Sequence, residues 1–245
     1  MTTFLTELRQ AIVPDMQGEQ GPLPPLLVAM TLVTGLVDAF SYLILGHVFV
    51  ANMTGNVVLL GFALAGAPGF SISASAAAIG SFGLGALVGG HTATRFSHHR
   101  ARLLSTAAST QTVFFAVSVV LAALSTNPVT ATYRYPLIVV LALAMGIQNA
   151  AARKLAVPDL TTTVLTLTIT GIAADSTIAG GRGSKAGRRV VAVAAMLGGA
   201  VVGTVLVIHA RIFYPLLIAL TVTAIIAAAS ATIGRVERPW VHPAS

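Results

Sequence analysis

Six stretches of this chain, 26–45, 72–94, 103–124, 136–152, 190–209 and 213–233, are apolar over about the length that a lipid bilayer demands. A helix needs about 20 such residues to cross the hydrocarbon core. Runs of that length and apolarity read as spanning helices. The expected fold class is therefore an all-α membrane protein with six long transmembrane helices. Composition agrees, because with 9% charged residues a soluble domain of 245 residues could not cover its surface.

Two further segments, 53–67 and 160–173, are short and either begin with a polar knot or are rich in threonine. Their status decides the number of crossings. If all eight segments crossed, the basic loops 95–102 and 182–189 would face opposite sides, against the tendency of Lys and Arg to stay in the cytoplasm. If the two are re-entrant, both loops face the cytoplasm, with Arg9, Arg153, Lys154, Arg235 and Arg238 beside them. Only Arg134 and Arg211 then lie outside. Six spans, two short inserted helices and both termini in the cytoplasm are the favoured arrangement, with eight spans as the alternative.

The halves resemble each other. "GLVDA" at 35–39 answers "GIQNA" at 146–150, and "GALVGG" at 85–90 answers "GAVVGT" at 199–204. Three crossings per half would invert the second half relative to the first, an arrangement that many transporters use to build a central site. The organisation is then an interfacial helix and linker over 1–24, a first membrane half over 25–125, a connecting loop over 126–135, a second half over 136–233 and a cytoplasmic tail over 234–245. Within the first segment, Phe4, Leu5, Leu8 and Ile12 form an apolar face, with Glu7 and Arg9 turned away.

Asp38 is alone among the acidic residues in lying deep within a span. A charge there costs roughly 2.5 to 3.5 kcal/mol on insertion scales, so it marks a cavity or a partner. One reading makes it a proton, cation or substrate site; the other makes it a pin between helices, paired with Asn149, Gln148 or Tyr42. The knot "ANMTGN" supplies Asn52, Thr54 and Asn56, residues suited to starting a helix at membrane depth, where its amide end can meet a carboxylate or an anion. Its counterpart supplies Thr161, Thr162 and Thr163, which could line a polar path or bond back to their own carbonyls. Asp38, Asn52, Thr54, Asn56, Gln148, Asn149 and Thr161 to Thr163 are the candidate substrate- or ion-binding residues.

Other chemistries lack residues. There is no cysteine, no GxSxG or HExxH, and no histidine with a metal-ligand partner at helical spacing, so no catalytic residue, metal or cofactor is expected and an enzyme is the less favoured class. The net charge of +7 is read as cytoplasmic loops, with no nucleic acid partner. The glycine-rich runs 80–90 and 198–203 read as close helix packing. The expected function is a small-molecule or ion transporter or channel with a central polar site; the alternative is a non-transporting membrane scaffold or sensor. Besides the lipid bilayer and an unknown small molecule or ion, a homodimer is a plausible partner, because three crossings per half make a thin wall for a pathway.

The stretch "TGLVDAFSYLILGHVFVANMTGNVVLLG", with "MGIQNAAARKL" and "DLTTTVLTLTITG", resembles the YoaK family of small bacterial membrane proteins, a domain of unknown function. The resemblance runs over about 25–233. It implies a multi-span cytoplasmic-membrane protein of about six helices and brings no established substrate or catalytic residue.

Overall fold

The computed structural model describes residues 2–126, 128–158, 165–176, 179–180, 186–236 and 239–242. Within them the chain is helical: α1 (Thr2–Ile12), α2 (Leu23–Ile44), α3 (Met53–Leu64), α4 (Ile72–Arg95), α5 (Arg100–Leu124), α6 (Ala131–Leu155), α7 (Leu165–Ala174), α8 (Ala186–His209) and α9 (Tyr214–Ile233). Six of these, α2, α4, α5, α6, α8 and α9, are long and apolar enough to cross a membrane. At about 1.5 Å per residue, the 22 residues of α2 reach about 33 Å.

The two ends of the bundle are defined by what meets there. At one end the start of α5 joins the end of α6 and the C-terminal tail: Arg100 donates from its backbone to Val241 O at 2.8 Å and through Nη2 to Leu155 O at 3.0 Å. Leu23 of α2, Ala93 of α4 and Ala192 of α8 share the apolar cluster at that end. At the other end Ser73, at the start of α4, meets Tyr135, near the start of α6, at 2.7 Å. The end of α2 and the start of α9 share the second cluster, through Leu45 and Leu216. Each long helix therefore runs from one end to the other, and α2 ends where α4 begins. The chain through α3 leaves and returns on the same side, as does the stretch between α6 and α8. Eight crossings are excluded by this alternation, and α3, at 12 residues, is too short to span.

Arg9, Arg95, Arg100, Arg102, Arg153, Lys154, Arg188, Arg189 and Arg235 all belong to segments gathered at the first end, and Arg134 and Arg211 to the opposite one. We call the first the basic end.

Two tight crossings hold the bundle together. A Cβ on Gly35 would meet the backbone of Met196 and Ala200, and one on Gly199 that of Leu32 and Leu36, so α2 and α8 touch main chain to main chain. A Cβ on Gly146 would meet Phe82 and Ala86, and one on Gly85 would meet Leu143, so α4 and α6 do the same. Without a hydrophobic drive between helices in lipid, such backbone approach is what lets van der Waals contact accumulate. The contacts match position by position: 32, 35 and 36 of α2 each lie 111 residues before 143, 146 and 147 of α6, and 82, 85 and 86 of α4 lie 114 before 196, 199 and 200 of α8. Gly89 against Ile147 and Ala150, and Gly203 against Leu36 and Ala39, obey the same shifts. Gly80, Gly83 and Gly90 face open space, so only one side of the glycine-rich run packs.

At the basic end the structure departs from the sequence reading. Glu7 does not turn away from the protein: it accepts the Gly187 amide at 3.1 Å, a carboxylate against the first turn of α8 where the helix dipole favours it. The tail is not a loose appendage, since Trp240 and Val241 are buried against the bundle and Trp240 lies over Gly21.

Candidate functional site

Thr31, Thr34, Asp38 and Ser41 recur along α2 at three- and four-residue steps and are all buried. The hydroxyls bond back to their own helix: Thr31 to Leu27 O at 2.9 Å, Thr34 to Met30 O at 3.0 Å and Ser41 to Asp38 O at 3.1 Å. Asp38, lacking a proton to donate in its charged form, needs donors from elsewhere.

Those donors come from the chain that follows. Past Ile44 the backbone turns sharply through Gly46 and His47, at φ 90° and 55°, and the His47 amide closes the turn on Tyr42 O at 3.1 Å. The left-handed angle is strained for His47 and natural for Gly46. The chain then doubles back along α2. Asp38 Oδ1 accepts the amides of Val50 at 3.0 Å and Ala51 at 2.8 Å. Asn56 pairs with both backbone groups of Phe49, accepting its N–H at 2.9 Å and donating to its carbonyl at 2.6 Å. Asn52 then caps α3 by accepting the Gly55 amide at 3.2 Å.

Asp38 precedes the last residue of α2 by six positions, which is about 9 Å of helix. α3 therefore starts at that depth, beside Asp38. Backbone outside a regular element survives at such depth only when protein satisfies it, and here one carboxylate and two asparagines do so. The carboxylate and the polar break share one hairpin because each needs the other.

A groove of about 310 Å³ lies against this junction, between α2, the returning chain and α8. Asp38, Tyr42, Phe49, Asn52, Met196 and Thr204 are among its lining residues. Tyr42 and Phe49 stack with ring centroids 4.9 Å apart. Asp38 is 5% exposed, and with Oδ1 taken twice, its Oδ2 has no hydrogen-bond partner.

Gln148 belongs to a different arrangement. Its Nε2 donates to Thr34 Oγ1 at 2.9 Å, and its Oε1 accepts from Gln111 Nε2 at 2.5 Å, tying α6 to α2 and α5 with both amides fully buried. Asp38 bonds to neither Gln148 nor Asn149; Asn149 Nδ2 donates to Met145 O of its own helix at 2.9 Å. Thr54 is exposed and does not line the groove. Thr161, Thr162 and Thr163 lie outside the described residues. Arg153 and Lys154 are exposed at the basic end. Among the described residues no three His, Cys, Asp or Glu side chains come together as a metal site.

Sequence reasoning passed over Gln111, Thr34 and the aromatic pair. The amide in α5 and the Thr31–Thr34–Asp38–Ser41 spacing were the available signals; the Tyr42–Phe49 stack had none, since it depends on the chain doubling back.

Six crossing helices and a break held at depth by a carboxylate define an integral, multi-span α-helical membrane protein. The chain belongs to the family described as a protein of unknown function, DUF1275, whose model matches residues 26–229. It is similar to the UPF0700 transmembrane protein YoaK of Bacillus subtilis (strain 168), 36% identical over 155 residues. That match covers 61% of this chain and 65% of the relative's length. No solved structure matches.

Proposed function

We propose that the protein is a transporter of a small cationic solute, with its binding site in the groove beside Asp38. The observation that carries this is a buried carboxylate with one oxygen already used for structure and the other left over, at the wall of a groove. Burying a charge for architecture alone costs free energy that a neutral Asn could avoid while still accepting two amides. A bound cation would offset that cost. The basic residues gathered at one end support a reading in which that end is cytoplasmic, with both termini inside and the α3 break toward the outer face.

The matched crossings α2·α8 and α4·α6 support an internal repeat in which each half lends its first helix to the other. Under an inverted repeat, Asn149 of α6 occupies the place of Asp38, and the two halves exchange roles as access alternates. In proteoliposomes on a supported membrane, rapid exchange to sodium, potassium, ammonium and alkylammonium chlorides should give a current or radiolabel uptake above empty liposomes. Asp38→Asn should abolish it. No flux for any of these cations would favour the alternative, a scaffold or sensor.

That alternative draws on the Gln111–Gln148–Thr34 network, which ties α5, α6 and α2 together and does not include Asp38. The comparison of flux between wild type and Asp38→Asn separates the two.

A further inference from the structure

The groove beside Asp38 has a composition that selects among cations, and we infer that its ligand is a protonated organic amine with an apolar body. The inference rests on the reading of that groove as the binding site and goes beyond it by naming the chemical class.

Three observations converge. The first is the carboxylate itself. Oδ1 already accepts from Val50 and Ala51 while Oδ2, buried beside the groove that Asp38 lines, has no hydrogen-bond partner, and in its deprotonated form Asp38 brings a negative charge to that wall. An ammonium group can donate an N–H to that oxygen and neutralise the charge in one contact, the kind of charge-assisted bond that is strong when water is excluded. The second is the oxygen count. A bare calcium ion needs six to eight oxygen ligands, and magnesium an octahedron of them. Here Asn52 Oδ1 is engaged by the Gly55 amide, leaving the Tyr42 and Thr204 hydroxyls as the neutral side-chain oxygens around a single carboxylate oxygen. Among the described residues no second acidic side chain lines the groove. A calcium or magnesium ion would be starved of side-chain ligands, whereas an amine asks for one acceptor.

The third is the remaining wall. Tyr42 and Phe49, stacked on each other, stand next to Asp38, and Leu43, Met196 and Ala200 complete an apolar surface. Aromatic faces attract cations by their quadrupole, and the aliphatic groups remove an alkyl or aryl body from water. Leu43 is 46% exposed at the rim, so the groove opens toward the lipid-facing perimeter, where an amphiphilic amine concentrates. A volume of about 310 Å³ suits a molecule of the size of phenethylamine.

The probe is phenethylammonium chloride, titrated by calorimetry into the full-length protein in lipid nanodiscs, with 2-phenylethanol as the neutral analogue of the same shape. Wild type should bind the amine at least tenfold more tightly than the alcohol. Asp38→Asn should lose at least tenfold for the amine and change little for the alcohol. Thr204→Trp, which narrows the groove from α8 and leaves the Asp38 amide contacts in place, should weaken both, and keeps the inference testable if Asp38→Asn does not fold. Equal affinity for amine and alcohol, or an amine affinity untouched by both substitutions, would overturn the assignment. Failure of the amine to bind in a protein that still carries sodium or potassium would overturn it and leave the transport reading intact. Amine binding without flux of any cation would uphold the ligand class and remove transport.

Discussion

Two polar sites lie four residues apart on α2, and they are built on opposite terms. Thr34 is part of an enclosed network: Gln148 and Gln111 are neutral, fully buried and bonded across three helices. Asp38 is ionisable, lines a groove, and spends one oxygen on the re-entrant backbone while the other, itself buried, stays unpaired. The enclosed site has the features of a device that fixes how α2, α5 and α6 pack. The open site does a structural job and keeps an acceptor oxygen without a partner in a residue that lines a groove. A buried polar group therefore does not declare its role by its depth; Gln111 Oε1 and Asp38 Oδ2 both lack a hydrogen-bond partner, and what separates the two sites is that Asp38 is ionisable and lines a groove.

The largest effect should come from removing the acceptor at the open site. Asp38→Leu leaves the Val50 and Ala51 amides without a partner at depth, and buried unsatisfied donors cost about 1 to 3 kcal/mol each. Thermal unfolding of the detergent-solubilised protein should show a loss of about 2 to 6 kcal/mol or no folded protein at all. A variant as stable as wild type would mean that the carboxylate does not hold the break. Asn56→Ala, which strips both backbone groups of Phe49, should follow at about 2 kcal/mol or more on the same scale. Next is Gln111→Leu, which orphans Gln148 Oε1 in the enclosed site: about 1 to 3 kcal/mol, with cation flux retained. Loss of flux there, at unchanged stability, would erase the distinction between the sites. Thr54→Ala, at an exposed position in the first turn of α3, should change stability by less than about 0.5 kcal/mol.

The frame in which both sites sit can be checked independently, because the chain has no cysteine. Single cysteines at Ser97 and Ser176 belong to the basic end, and one at Thr126 to the opposite end. In intact cells an impermeant thiol reagent should label Thr126→Cys and spare the other two. Labelling of Ser97→Cys and Ser176→Cys on different sides would break the six-crossing alternation.

How far the sequence alone leads differs between these regions for physical reasons. The six crossings were legible because hydrophobic length and basic-residue bias are properties of composition along the chain. The re-entrant α3 was legible from Asn52, Gly55 and Asn56, since a cap and a close approach have recognisable residues. The pairing of Asp38 with Val50 and Ala51 was not, because any residue can supply a backbone amide. The expected convergence of Asp38 with Gln148 and Asn149 treated all polar side chains of the span as facing one centre. Along α2 a shift of one residue turns the face by about 100°, and Gly35 and Ala39 look toward α8 while Thr34 looks toward Gln148. The burial of Trp240 was hidden for a similar reason: a single aromatic in a polar tail has no periodicity to betray its contact with Gly21.

The division of labour on α2 is tested most directly by measuring stability and cation flux together in Asp38→Asn and Gln111→Leu. Asn at position 38 keeps an oxygen for the Val50 and Ala51 amides and removes the charge, so the account predicts a protein within about 1 kcal/mol of wild type that carries no cation. Gln111→Leu should be the less stable of the two and still transport. An Asp38→Asn protein that unfolds while Gln111→Leu falls silent, or a pair in which flux tracks stability alone, would contradict it.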